Sequence, residues 1–146
     1  MNTNESFDVK TPRDALSLLS IKMYQKFGKE VLVEIEDVWH KLGISIGKKM
    51  KKNLSDTGLA SVGQLFVDSG RKRGTNIDIL ELTDQKFHIK AYQCALGMKG
   101  KGRELCTAAM GCDMGIFEGA TGGKFKMEIK KTVAAMDDCC EVIIEV

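Results

Sequence analysis

No stretch of this 146-residue chain approaches the roughly twenty apolar residues that a membrane-spanning helix needs. Nothing in it has the form of a signal peptide, so the expected compartment is the cytosol. The net charge of +2 is too small an excess for a protein dedicated to nucleic acid. The basic clusters at 47–53 and 71–73 read as solvated helix and turn surface. There is no internal repeat, no low-complexity tract and no linker, which leaves one domain over 1–146 with the first ten residues as a flexible tail. Hydrophobic residues at 43% and charged residues at 29% are globular values that exclude general disorder. The length suffices for a core of its own. No Cys-x-x-C pair occurs, so a zinc knuckle or ribbon has no support. Disulfides are disfavoured in the cytosol, and the cysteines number five. They read as metal ligands, a nucleophile or small buried hydrophobes.

What is present divides the chain into a helical half and a mixed half. The single proline, Pro12, follows Thr11 and precedes Asp14: an N-cap, a first helical residue and a first-turn acid. The helix they start should run to Phe27, with Gly28 ending or kinking it. A second helix follows with Val31, Ile35, Val38, Leu42, Ile46 and Met50 spaced by three and four. Gly43 and Gly47 lie one turn apart on it, a pattern that permits close helix packing. Leu59, Val62, Leu65 and Phe66 mark a third helix over 58–69.

From residue 77 the composition turns β-branched and aromatic. Residues 77–94 read as a hairpin turning at 83–86, and 97–120 as a glycine-rich loop that becomes one helix near Arg103. Phe125, Met127 and Ile129 alternate with lysines, and this strand pairs across the turn 134–138 with the terminal strand. The predicted fold class is α+β: N-terminal helices, then an antiparallel sheet of about four strands with a helix inserted between two hairpins.

Five cysteines sit at or near element ends. Side chains alternate along a strand, so Cys140 falls with Val142 and Ile144 on the core side, and Cys139 with Glu141 and Glu145 on the accessible side. Cys106 and Cys112, six apart on one helix, are separated by about 600° of rotation and do not share a face. Cys94, Cys106, Cys112 and Cys139 could still converge in space on zinc, another soft metal or an iron–sulfur cluster. Free cysteines are, on the other hand, among the most buried residues.

Gly97 and Gly102 have the spacing of a phosphate loop, but Arg103 and Glu104 stand where Lys and Ser/Thr are required. Two readings of the loop are open: an anion site using backbone N–H groups with Lys99, Lys101 and Arg103, or an exposed flexible turn. Candidate acids are Glu104, Asp113, Glu118, Asp137 and Asp138. Asp137 and Asp138 suit a turn for backbone reasons alone. His40 and His88 read as surface or hydrogen-bonded structural residues.

Several of these segments together carry a resemblance. MYQKFGKE with the following Gly-x-x-x-Gly helix (23–47), YQC (92–94), ELC with a later Asp (104–113) and KTVAAMDDCC (131–140) resemble the L-2-amino-thiazoline-4-carboxylic acid hydrolase family. The last motif is also similar to the ending of vinyl-reductase-type ligand-binding domains. Met136 stands where both families usually have glycine. The first resemblance implies opening of a cyclic amidine or thiazoline-type substrate to an N-carbamoyl amino acid. Cys94, Cys106 or Cys140 would then be nucleophile or metal-bound activator, Asp113 or Asp137 would move the proton, and the 97–103 loop would anchor a carboxylate. The second implies a non-catalytic domain that holds a small molecule, a hydrocarbon or a tetrapyrrole. Either way a small-molecule partner is expected, with no nucleic acid and no membrane. Two topological expectations follow: Cys94, Cys106 and one of Cys139/Cys140 share a pocket, and the glycine-bearing helix supports a homodimer.

Overall fold

The computed structural model describes residues 7–146; the first six residues of the expected N-terminal tail lie outside the described residues. Helix α1 (Pro12–Phe27) begins as its sequence requires. The Thr11 hydroxyl accepts from the Asp14 backbone N–H at 3.1 Å, and the Asp14 carboxylate accepts in return from the Thr11 N–H at 3.2 Å. This reciprocal cap satisfies two of the otherwise unpaired donors of the first turn. Phe7, assigned to the flexible tail, is half-buried, packs on the core and lies against Gly97. Gly28 ends α1 with φ 72° and opens one 3-10 turn, Gly28–Val31, before α2 (Leu32–Lys51).

The buried face of α2 is Ile35, Trp39, Gly43 and Gly47. Val38, assigned to that face on spacing, is exposed, and its neighbour Trp39 fills the position instead, with its indole N–H donated to Ser20 Oγ at 3.0 Å. A buried indole needs such a partner. Helix α3 (Leu59–Lys72) then packs on the first hairpin, β1 (Ile77–Leu82) and β2 (Lys86–Ala91).

The expected single helix over 103–120 is interrupted at Met110, giving α4 (Arg103–Ala109) and α5 (Gly111–Thr121). The break falls just before Gly111, a residue with little preference for helix. Cys106 and Cys112 therefore belong to different helices. Strands β3 (Lys126–Lys131) and β4 (Cys140–Glu145) complete an antiparallel sheet of order β1-β2-β4-β3. Ala91 on β2 pairs with Cys140 on β4, so the two hairpins are joined at the positions where Cys94 and Cys140 arise. Helices cover one face of the sheet. Phe66, Phe87 and Phe117 form the contact between α3, sheet and α5, with centroids 5.3 to 6.1 Å apart.

Helices α2 and α5 meet at backbone distance. A Cβ at Gly43 would lie 2.0 Å from the Cys112 carbonyl oxygen, and one at Gly47 2.2 Å from that of Ile116. From the other side, a Cβ at Gly115 would lie 2.4 Å from the His40 carbonyl oxygen and one at Gly119 2.6 Å from that of Ile44. The stripe Gly111, Gly115, Gly119 on α5 thus answers Gly43 and Gly47 on α2. The glycine pair is used inside one chain, so it lends the expected homodimer no support. Because the obstructing atoms are backbone, Gly43→Val should destabilise by about 3 kcal/mol or more. Gly122, left-handed at φ 80° with nothing near its Cβ position, is the control: Gly122→Ala should cost only about 1 to 2 kcal/mol. Urea unfolding of the two variants measures the difference; equal losses would contradict the packing.

Candidate functional site

Between the helices and the covered face of the sheet lies a cavity of about 220 Å³. Its body is apolar, built from Ile46 and Met50 of α2, Phe66 of α3, Ile89 and Val142 of the sheet, and Ile116 of α5. Three thiols also reach it: Cys94 just after β2, Cys106 in α4 and Cys140 at the start of β4. Asp113 lies on its wall with Arg13 from α1 and Arg73 from the end of α3.

The thiols are held by their neighbours. Thr132, itself buried, donates its hydroxyl to Cys106 Sγ at 3.2 Å and accepts from the Ala134 N–H at 3.1 Å. The Thr132 N–H is bound by the Asp137 carboxylate at 2.9 Å. The Met98 N–H points at Cys94 Sγ, 3.3 Å away. Burial pushes the Cys106 thiol up to about 11, against a smaller opposing effect from the Thr132 hydroxyl. Burial also raises Cys140. Both are therefore neutral thiols near pH 7, whereas a nucleophilic cysteine is activated as thiolate.

The remaining candidates lie elsewhere. Cys112 is fully buried beneath α2 and raised to about 11, chiefly by burial. Cys139, expected to be accessible, is only 2% exposed: it faces away from the cavity, as alternation requires, but lies covered among Lys90, Lys131 and Asp138. Among the described residues no three His, Cys, Asp or Glu side chains gather in an arrangement that holds a metal ion. Cys112 and Cys139 do not line the cavity with Cys94 and Cys106, so the four-cysteine set considered for zinc or an iron–sulfur cluster is not assembled there. Asp137 is outside the cavity too, its carboxylate engaged with the Thr132 backbone.

The glycine-rich loop is tied down in part, and its basic residues are not on the cavity wall. Gly100 and Gly102 donate their N–H groups to the Val133 and Ala134 carbonyls at 3.1 and 3.0 Å, so these two loop donors are already engaged. Gly97, Gly100 and Gly102, all with positive φ, fold the loop so that Met98 is buried on the cavity wall. Lys99, Lys101 and Arg103 do not line the cavity, and Arg103 donates instead to the Ile129 carbonyl. The turn after β3 is a short 3-10 segment, Val133–Ala135, followed by Met136 at φ 69°, ψ 21°. That left-handed conformation is the one glycine favours, so methionine keeps the turn at a conformational cost.

Two histidines are structural, as expected. His40 Nε2 lies 2.7 Å from Glu118, and His88 Nε2 2.8 Å from Glu141 across the outer sheet face. Arg13, Arg73 and Thr132 were not among the sequence candidates. A signal for Arg13 existed: it is a cation in the first turn of a helix, where the dipole disfavours positive charge.

No family model matches the chain, and no curated protein matches it. Solved structures do. The phenol-responsive sensory domain of the transcription activator PoxR, solved with phenol, aligns with a TM-score of 0.61 at 14% identity, over 94% of this chain and 76% of that one. A trafficking protein particle complex subunit 3 from Naegleria fowleri, covalently bound to palmitic acid, aligns with a TM-score of 0.58 at 16% identity, over 91% and 93%. The fold is shared with these two. No family match supports the hydrolase resemblance.

Asp113 carries the strongest electrostatic signature of the site. Burial raises its carboxyl to about 6 from 3.8, with Arg13 and Arg73 pulling the other way. The folded state thus holds this proton more tightly than the unfolded chain. Stability should fall as pH rises from about 4 to about 6, by at most about 3 kcal/mol from this group, and stay reduced above that window. Asp113→Asn should lose that part of the slope and be no less stable than the parent at pH 7.5. Urea unfolding from pH 4 to 7.5 reads both, and identical pH profiles would contradict the burial of a charged Asp113.

Proposed function

We propose that this chain is a small-molecule-binding domain that encloses one mainly apolar ligand, a single substituted ring or a short chain, in the helix–sheet cavity. The cavity itself carries this reading. Protein interiors are close-packed and rarely leave voids much larger than a water molecule. A dry apolar space of about 150 Å³ is enough to bind benzene, and this one measures about 220 Å³. Pockets of this kind, apolar with a few convergent polar groups, are the usual form of a ligand site. The two fold relatives were each solved with a small molecule, phenol in one and palmitic acid in the other, which supports the reading by analogy.

The ring-opening hydrolase is the weaker reading. It needs an activated thiol or water paired with an acid, and Cys106 is paired with the Thr132 hydroxyl rather than with a carboxylate. The raised thiols of Cys106 and Cys140 suit a wall better than a nucleophile.

Phenol is a suitable first probe. Isothermal titration should give one site per chain, and Ala91→Phe, which adds a ring to the cavity wall, should weaken binding at least tenfold with the fold retained by circular dichroism. Turnover of 2-amino-thiazoline-4-carboxylate, abolished by Cys106→Ser, would overturn the reading in favour of the hydrolase.

A further inference from the structure

One end of the cavity differs from the rest. Arg13, Arg73 and Asp113 come from the start of α1, the end of α3 and the first turn of α5, and all three line the same space. Among the described residues neither arginine forms an ion pair. Arg13 Nε is buried with no hydrogen-bond partner among them. A buried N–H of a charged group without a partner is costly to maintain. Arg13 also stands in the first turn of α1, where the helix dipole opposes a cation. The two guanidiniums repel each other, and partial burial together with the charge of Arg13 loosens the hold of Arg73 on its proton, although Arg73 as a whole is exposed at the rim. Ser69 and Gln93 add polar groups to the same wall. Lys131, the other cation on the cavity wall, is already engaged by Asp138 at 3.5 Å.

We propose that the ligand is a carboxylate with an apolar body, its head between the guanidiniums of Arg13 and Arg73 and its body among Phe66, Ile89 and Ile116. This deepens the binding-domain reading and rests on it. The charges favour a monoanion: two guanidiniums against the one carboxylate of Asp113 leave a single positive charge for the ligand to neutralise. A planar carboxylate fits the fork of a guanidinium, including its Nε, with two parallel hydrogen bonds. Asp113 sets the selectivity, since its negative charge disfavours a second negative charge on the head.

Benzoate and benzyl alcohol are the probes, similar in shape and different in charge. Titrated into the full chain at pH 7.5, benzoate should bind at least tenfold more tightly than benzyl alcohol. Arg13→Met should bring that ratio below threefold, and Asp113→Asn should tighten benzoate several-fold. The comparison on the unaltered protein already decides the matter, so a variant that fails to fold does not blunt it. Benzyl alcohol binding as well as or better than benzoate would overturn the carboxylate assignment while leaving a ligand-binding cavity standing. Binding of neither at millimolar concentration, together with no binding of phenol, would overturn both.

Discussion

The backbone contact between α2 and α5 is the constraint on which the remaining geometry depends. Glycines on both helices let the two axes approach until carbonyl oxygens of one lie where a Cβ of the other would be. Close approach on that side anchors α5, and with it Asp113 and Ile116. On the other side, the rings of Phe66, Phe87 and Phe117 hold α3, α5 and the sheet together. The cavity is lined by neighbours of both contacts, Ile46 and Ile116 from the helix pair and Phe66 from the ring cluster.

The cavity wall combines two kinds of chemistry: thiols and aliphatic groups, and the arginines with Asp113. Thr132 ties the thiol part to the turn beside it: its hydroxyl holds Cys106, while its backbone is held by Asp137 at the base of the turn. The same turn receives the N–H groups of Gly100 and Gly102, so the loop, the turn and α4 form one hydrogen-bonded unit beside the cavity. Burial is the largest influence on Cys106 and Cys140.

Much of the fold was legible in the sequence because it is written in local signals. Thr11, Pro12 and Asp14 mark a helix start by residue type, and the alternation in 126–131 and 140–145 marks strands by period. The placement of Cys94, Cys106 and Cys140 on one cavity also followed from topology, since it needs only that the two hairpins be neighbours. What local signals do not carry is which side chains close over others. Cys139 points where alternation sends it, yet it is only 2% exposed. Lys99 and Lys101 sit in a glycine-rich loop, yet the N–H groups of Gly100 and Gly102 are taken by the carbonyls of Val133 and Ala134, a long-range pairing that spacing alone does not reveal. Arg13 and Arg73 are distant in the chain and reach the same cavity only in the folded domain.

The central claim is a preformed apolar cavity between helices and sheet, and xenon tests it most directly, because it enters dry apolar space without needing any polar contact. A crystal of the protein pressurised with xenon should show an atom bound within the cavity, against Phe66, Ile89 and Ile116. A crystal in which side chains fill that space, or in which xenon binds only elsewhere, would contradict the account.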